Sequence, residues 1–135
     1  MTEDEIITVI RLDPEKAEFT EAVKIMRIKN NKEAYGEVLG CPAMIVTNHP
    51  CRMFHGHYQL IYNFLGRTIG DSPSVTSIEN KETISFGPVL ILKQNNGFSG
   101  LDNKDMVNIH RSIVAIKKND KIQEKHTYEL FVSCR

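Results

Sequence analysis

Several features that would assign this 135-residue chain to a class at once are scarce or missing. It has three cysteines, Cys41, Cys51 and Cys134, too few and too odd in number for a disulfide framework. Its 17 basic and 17 acidic residues leave no net charge, which argues against nucleic-acid polymers and anionic membranes as partners. No apolar run approaches the roughly 20 residues that span a bilayer, and the acidic N-terminus is the reverse of a signal peptide. We therefore expect a cytoplasmic protein with reduced thiols.

Motifs that cradle phosphate or support catalysis are missing as well. The sequence contains no G-x-x-x-x-G-K-S/T, no G-x-G-x-x-G and no G-x-S-x-G. His110-Arg111-Ser112 resembles one half of the paired H-x-S/T motif of two-histidine phosphoesterases, in which one histidine acts as base and the other as acid. His126-Thr127-Tyr128 has the wrong spacing for the second half. A phosphoesterase that uses His110 and another histidine is therefore an alternative, not the main expectation.

Three histidines and a cysteine lie close together in NHPCRMFHGHYQ, residues 48–59. On one continuous strand His49, Cys51, His55 and His57 point to the same side, and zinc favours such ligands. Four ligands on a strand, however, spread along a line of about 25 Å, whereas a tetrahedral site needs them to converge. We expect a hairpin tip here, with no metal and no Cys–His nucleophile pair.

What is present suggests a single domain over residues 1–135. NKEAYGEVLG (31–40) predicts a short helix that Asn31 caps and Gly40 ends. Residues 101–119 predict a longer helix capped by Asp102, with one apolar stripe. The polar segment 71–82 contains Ser-Pro and predicts a mobile surface loop, and residues 17–28 fit either a strand or a helix. Strands are predicted at 5–12, 42–48, 57–70, 83–92 and 124–134.

This order of elements predicts an α+β fold, with a mostly antiparallel β-sheet and one or two helices packed on one face. Residues 83–92 are the strongest predicted strand, and Gly87-Pro88 inside it suggests a bulge or an edge position.

Two arginines, one phenylalanine ring and one asparagine amide are poorly explained as purely structural residues. Arg67 lies between Gly66 and Thr68 at the end of a predicted strand, where a guanidinium can fork onto a phosphate or simply be solvated. Arg111 lies on the flank of the second helix, where an ion pair with an earlier carboxylate is the alternative. Phe86 is either a core residue or a stacking platform. Asn96 belongs first to a hairpin turn, but its amide can also read a base edge. Together these groups are what a nucleotide pocket requires.

Two stretches, IITVIRLDPEK and GPVLILKQNNGFSGLDNKDMVNIHRSI, resemble in layout small domains of bacteriophages and their hosts. In those domains a strand with a Val-Ile-Arg run opens the chain. An Asn…Arg element follows a hairpin, and a Gly-containing strand precedes a capped helix. In YNFLGRTI, Asn63 and Arg67 stand near the middle element. The resemblance covers about residues 5–115, while the insert 71–82 and the final strand 124–134 depart from it.

Among such phage proteins, the chain resembles the first class of Thoeris anti-defence proteins. These are oligomeric sponges that sequester a cyclic ADP-ribose-type signal from a bacterial TIR enzyme without cleaving it, and some also hold cyclic nucleotides in separate pockets. The resemblance implies that Phe86 stacks on adenine and that Asn96 contacts the base or ribose. Arg67 and Arg111 then hold the phosphates, with Arg52 as a substitute for Arg67.

The same resemblance implies a non-catalytic homo-oligomer without a cofactor, whose partner is a small signalling nucleotide. A protein-binding inhibitor with no small ligand is the remaining alternative.

Overall fold

Two β-sheets lie face to face in this protein, and a helix covers the outer face of the larger sheet. A computed structural model describes residues 5–16, 18–54, 56–120 and 126–134. The elements in chain order are β1 (Ile6–Leu12), α1 (Phe19–Ala22), β2 (Val23–Lys29), α2 (Lys32–Leu39), a 3-10 turn (Ala43–Ile45), β3 (Val46–Met53), β4 (Gly56–Asn63), β5 (Pro73–Ser77), β6 (Thr83–Phe86), β7 (Val89–Gln94), β8 (Phe98–Ser99), α3 (Asn103–Ser112), β9 (Ile113–Asp120) and β10 (His126–Val132).

The larger sheet has the strand order β2-β1-β7-β4-β3, with the short β8 paired to the end of β7, and all its pairs are antiparallel. The smaller sheet has the order β6-β5-β10-β9, in which β5 and β10 run parallel. The predicted α+β class with mostly antiparallel strands is therefore confirmed. The division into two sheets is a finding that the sequence pattern does not indicate.

The predicted strand 83–92 is in fact two strands that belong to different sheets. Gly87 has a φ of 79°, a left-handed conformation that glycine adopts without strain, and Pro88 has no N–H to offer a ladder. The chain leaves the smaller sheet after β6, an edge strand, and enters the middle of the larger sheet as β7. A side chain at residue 87 would collide with the carboxylate of Asp71.

The prediction of a mobile surface loop over 71–82 is wrong for its first half, because β5 is a buried strand. Its polar side chains are satisfied by neighbouring strands instead of by water. The Ser74 hydroxyl lies 2.7 Å from the Ser85 hydroxyl, and the Thr76 hydroxyl donates to the Glu129 carboxylate at 2.6 Å. Hydroxyl groups that are hydrogen-bonded to each other can be buried at low cost. The sequence prediction failed because it took polar residues to be exposed.

The two predicted helices form, but one is shorter than expected. The Asn31 side chain accepts a hydrogen bond from the Ala34 N–H at 2.8 Å, and Gly40 ends α2 with a φ of 75°, as predicted. Asp102 caps α3 in a capping box. The predicted helix 101–119 nevertheless ends at Ser112, because the β-branched run from Ile113 pairs with β10 instead. Within the predicted stretch 17–28, the described residues combine both predicted possibilities, as α1 from Phe19 and then β2 from Val23.

Side chains alternate across the larger sheet, as a period of two requires. On β7, Leu90 and Leu92 face α2 and pack in one apolar cluster, while Val89 and Ile91 face the smaller sheet and α3 in another. The core is thus divided between the two faces of one sheet. Within the described ranges, none of the helices is both long and apolar enough to cross a bilayer.

Candidate functional site

The six residues predicted to bind a ligand do not form one group, although three of them lie around the turn that follows β4. Arg67 is exposed there, and its guanidinium carbon lies 5.7 Å from the centroid of the Phe86 ring. Asn63 is buried, and its side-chain oxygen accepts a hydrogen bond from the Leu65 N–H at 2.9 Å. Asn63 therefore shapes the turn, while Arg67 covers a face of Phe86 in a cation–π contact. A base stacking on that face would have to displace Arg67.

The other three predicted residues lie on different elements. Arg111 is exposed on α3, with its guanidinium carbon 5.0 Å from the centroid of the Phe54 ring at the β3–β4 turn. Asn96 has a φ of 52° in the turn between β7 and β8, where it lines a depression with Asn30, Lys32 and Tyr35 among others. Arg52, on β3, lines a separate cleft between the two sheets. The structure thus brings Arg67 and Phe86 into contact but assigns Asn96 and Arg52 to different depressions.

The cleft that contains Arg52 has a volume of about 570 Å³. The larger sheet supplies its lining from β3, β4 and the end of β7, and the smaller sheet supplies β5, β6, the turn between them and the segment after β10. This volume is in the range of clefts that hold drug-sized ligands. The depression around Asn96 encloses about 760 Å³ but is built from the larger sheet and α2 alone. The cleft is the better candidate because residues from both sheets converge on it.

A chain of side-chain amides runs from β3 across β4 to β7, and two of its members, Gln59 and Gln94, line the cleft. The Asn48 amide donates to the Gln59 carbonyl oxygen at 2.9 Å, and the Gln59 amide donates to the Gln94 carbonyl oxygen at 3.0 Å. Gln59 is buried, and its amide is hydrogen-bonded on both sides. The two glutamines that line the cleft therefore have fixed orientations before any ligand binds.

Charged groups of both signs face this space. Arg52 is the permanent cation among the described lining residues, and it lies opposite His57 in the β3–β4 pair. Glu79 and Glu82 come from the β5–β6 turn. The Glu79 carboxylate accepts from the Cys134 N–H at 2.8 Å and from the Ser133 hydroxyl at 2.7 Å. These hydrogen bonds hold the pKa of Glu79 below its usual range, and the one from Cys134 has the largest effect. The group is therefore an anion at neutral pH.

Two cysteines meet at the wall of the cleft, Cys51 from β3 and Cys134 from the segment after β10. Their sulfur atoms are 2.8 Å apart. The pKa of Cys51 is raised, first by its hydrogen bond to Cys134 and then by burial. The pKa of Cys134 is lowered, because the hydrogen bond from Cys51 favours its thiolate more than burial disfavours it.

Sequence reasoning missed this pair because the two cysteines are 83 positions apart. It placed Cys51 with the neighbouring histidines and gave Cys134 no role. Only the strand order, which brings the end of β10 against the β3 edge, joins them. No short sequence motif indicates that the two cysteines are in contact.

The histidines are distributed over several places. His49 and His57 line the cleft from neighbouring strands, and the Nδ1 atom of His49 lies 2.8 Å from the Pro50 carbonyl oxygen. His110 is exposed on α3. His55, from the predicted hairpin tip, lies outside the described residues, as does the side chain of His126. Within the part of the chain that the structure describes, no three Cys, His, Asp or Glu side chains converge to hold a metal ion.

Comparison of the chain with models of protein families, with curated proteins and with solved structures gives no significant match in any of the three. The chemistry of the cleft is therefore the main guide to function.

Proposed function

We propose that this chain is a non-catalytic binding protein that sequesters a small signalling nucleotide in the cleft between its two sheets. The composition of the cleft carries the proposal, since a permanent cation, oriented amides and carboxylates surround a space of about 570 Å³. In the specific form implied by the resemblance to Thoeris anti-defence proteins, the ligand is a cyclic ADP-ribose-type signal. The protein would then act in the cytoplasm of the bacterial host as a phage-encoded sponge.

Each part of a nucleotide has a matching group in the cleft. The Arg52 guanidinium is suited to fork onto a phosphate. The Gln59 and Gln94 amides offer the donor–acceptor chemistry that a base edge recognises. The Glu79 and Glu82 carboxylates accept hydrogen bonds, as acidic side chains do from ribose hydroxyls in dinucleotide sites. A single permanent cation beside two carboxylates disfavours a ligand that carries many phosphates.

Several side chains of the cleft are already ordered in the free protein, which favours tight binding of a ligand. Binding costs free energy whenever loose side chains must be ordered, about 0.5–1.5 kcal/mol for each flexible side chain. The amide chain through Gln59 and the hydrogen bonds of Glu79 are made in the free protein. Those groups therefore lose little freedom on binding, which suits a protein that must compete for a scarce signal.

Self-association is part of the same proposal. Three large apolar side chains, Met44, Phe64 and Ile69, are 86%, 69% and 63% exposed. The Phe64 N–H donates to the Ile45 carbonyl at 2.9 Å, so the turn after β4 lies beside the 3-10 turn. Exposed apolar side chains grouped in this way favour contact with another protein surface. The molar mass in solution, compared with 15.4 kDa for one chain, is the direct measurement.

The proposal is tested by thermal denaturation with cyclic ADP-ribose isomers and cyclic dinucleotides. A ligand at 100 times its dissociation constant should stabilise the protein by about 2.7 kcal/mol. Arg52→Gln should then weaken binding by roughly 10- to 100-fold, the loss of one or two hydrogen bonds to a charged group. Arg27→Gln is the matched control, because Arg27 is equally exposed but lies on β2, outside the cleft.

The outcomes distinguish the alternatives. Recovery of unchanged nucleotide after heat denaturation is expected, whereas a cleaved product would favour the phosphoesterase that uses His110 and another histidine. If Arg67→Gln or Arg111→Gln abolished the stabilisation while Arg52→Gln did not, the ligand would lie where the resemblance implies and the cleft assignment would be wrong. Stabilisation by none of these nucleotides would reject the proposal in favour of a protein-binding inhibitor.

A further inference from the structure

The sulfur atoms of Cys51 and Cys134 are 2.8 Å apart, closer than two thiols in ordinary van der Waals contact. We propose that the two cysteines form a thiol–disulfide exchange site, at which a low-molecular-weight disulfide oxidises them to a reversible intramolecular disulfide joining the two sheets. Both cysteines line the cleft, and Cys134, which is half-buried, is the one that a small disulfide can reach from solvent. This inference does not depend on nucleotide binding, because its readout is the state of the thiols.

The packing around the cysteines fixes their proximity. Cys51 is 2% exposed in the cluster between the sheets, and Cys134 packs against the same cluster. The backbone of Cys134 is held by its own hydrogen bond to Glu79, and the Ser133 N–H donates to the Ser112 carbonyl at 2.8 Å. A disulfide bond of about 2.05 Å therefore needs only a small movement of two side chains.

The two thiols are unequal in a way that assigns their roles. Cys134 is half-buried, and its pKa is lowered by the hydrogen bond from Cys51. Cys51 is buried, and its pKa is raised. The accessible thiolate is the nucleophile in exchange reactions, and the buried thiol is protected until its partner has reacted. Cys134 is thus the attacking cysteine and Cys51 the resolving one.

The exchange proceeds in two balanced steps. The Cys134 thiolate attacks one sulfur of the external disulfide, which forms a mixed disulfide at Cys134 and releases one thiolate. Cys51 then loses its proton to solvent and attacks the Cys134 sulfur, so that the internal disulfide forms and the second external thiolate leaves. The external disulfide is reduced to two thiols by two electrons, and the protein dithiol is oxidised. An excess of external thiol reverses both steps.

The third cysteine is a built-in control. Cys41 lies just after α2 and packs with the cluster on the opposite face of the larger sheet. It is half-buried like Cys134, but its pKa is raised by burial. The same oxidant should therefore modify Cys134 and leave Cys41 largely unreacted. Cys41→Ser should not alter formation of the internal disulfide.

The experiment uses the full chain equilibrated in mixtures of reduced and oxidised glutathione, followed by acid quenching, alkylation of the remaining thiols under denaturing conditions and peptide mass mapping. Of the three cysteines, all should be alkylated in the reduced protein, but only Cys41 in the oxidised protein. Cys51 and Cys134 should appear in one cross-linked peptide pair. Because the bond closes a loop of more than 80 residues, oxidation should raise the melting temperature by roughly 10 °C.

Variants separate the two roles. Cys51→Ser should trap glutathione on Cys134, whereas Cys134→Ser should leave Cys51 as an unmodified thiol. Cys134 lies in the segment after the last strand, so Cys134→Ser should fold even if Cys51→Ser does not. Three alkylated cysteines in excess oxidised glutathione would overturn the proposal. So would a bond that involves Cys41, or disulfide-linked dimers in place of the internal bond.

Discussion

The two faces of the larger sheet are covered in different ways. On one face α2 lies over a cluster that includes Val9, Leu90 and Leu92, and its Tyr35 hydroxyl donates to Asn30. On the other face α3 and the smaller sheet share the covering, and the Tyr58 hydroxyl of the sheet donates to Asp105 of α3 at 2.8 Å. A buried tyrosine anchors a helix on each side. The cleft beside the paired cysteines draws residues from both faces. Cys51 and Tyr58 belong to the second face. By the alternation of side chains, Gln59 and Gln94 instead lie on the same side of the sheet as the residues beneath α2.

The difference shows how this small domain combines a closed apolar core with an open cleft. A face that one helix covers can be closed with aliphatic side chains. A face shared between a helix and a second sheet must satisfy polar edges and turns, and here it leaves space where the sheets diverge around β3 and the β5–β6 turn. Sites are expected at such boundaries between elements. The stability of the α2 face and the chemistry of the opposite face should therefore respond differently to substitution.

The largest expected effect compares core leucines on the two faces. Leu90→Ala, at 0% exposure beneath α2, should lower the free energy of unfolding by about 3–4 kcal/mol. Leu60→Ala, at 1% exposure between the sheets, should cost about 2–3 kcal/mol, because a face next to an open cleft can relax into the space created. Urea denaturation measures both. Leu65→Ala, in the exposed turn after β4, is the control and should change stability by less than about 0.5 kcal/mol.

A larger cost for Leu60→Ala than for Leu90→Ala would contradict this comparison. It would mean that the face with the cleft is the more rigidly packed of the two.

The same comparison explains which features the sequence could predict. Local signals sufficed for α2, where Asn31 and Gly40 mark both ends, and for the Asp102 cap of α3. They failed where long-range pairing decides the outcome. The run from Ile113 suits a helix or a strand until β10 lies beside it. Ser74 and Ser85 look solvent-exposed until their hydroxyls meet.

The candidate site was predicted least well, since its parts are assembled by topology. Arg52 was named as a ligand residue from the sequence, and it does line the cleft. The Cys51–Cys134 contact joins the two sheets and needs the complete strand order. Amide orientation in Gln59 likewise depends on neighbours from β3 and β7. A pattern of residue types along one strand contains none of this information.

A smaller effect is expected from the two tyrosine anchors at neutral pH. Tyr58→Phe removes a hydrogen bond to the Asp105 carboxylate and leaves the Asn108 amide, 3.1 Å from the hydroxyl, without that acceptor. It should cost about 2 kcal/mol, as hydrogen bonds to charged groups typically do. Tyr35→Phe removes a bond to a neutral amide and should cost about 1 kcal/mol. Denaturant unfolding at pH 7 measures both, and equal costs would show that the charge on Asp105 is immaterial.

The smallest expected effect is a loss of stability at alkaline pH, to which both faces of the larger sheet should contribute. Burial is the main cause that raises the pKa of Tyr35 to about 12 and that of Tyr58 to about 12. An unfolded tyrosine titrates near 10. Between pH 10 and pH 12 the unfolded chain loses phenol protons that the folded chain keeps, so the free energy of unfolding falls as pH rises. Below pH 10 both states are protonated and the contribution is constant.

Lys93 adds to this loss of stability at alkaline pH, but only on the face where it pairs with Asp105 of α3. Its hydrogen bond to Asp105 is the first cause that raises its pKa, and a raised lysine pKa also gives stability that is lost as pH increases through the folded value. Tyr58→Phe and Tyr35→Phe should each flatten the decline in melting temperature above pH 10 that the unsubstituted protein shows. The residual slope should be similar in the two variants, because each keeps Lys93 and one tyrosine whose pKa is raised to about 12. Parallel profiles for all three proteins would mean that neither hydroxyl is protonated more tightly in the folded state than in the unfolded chain.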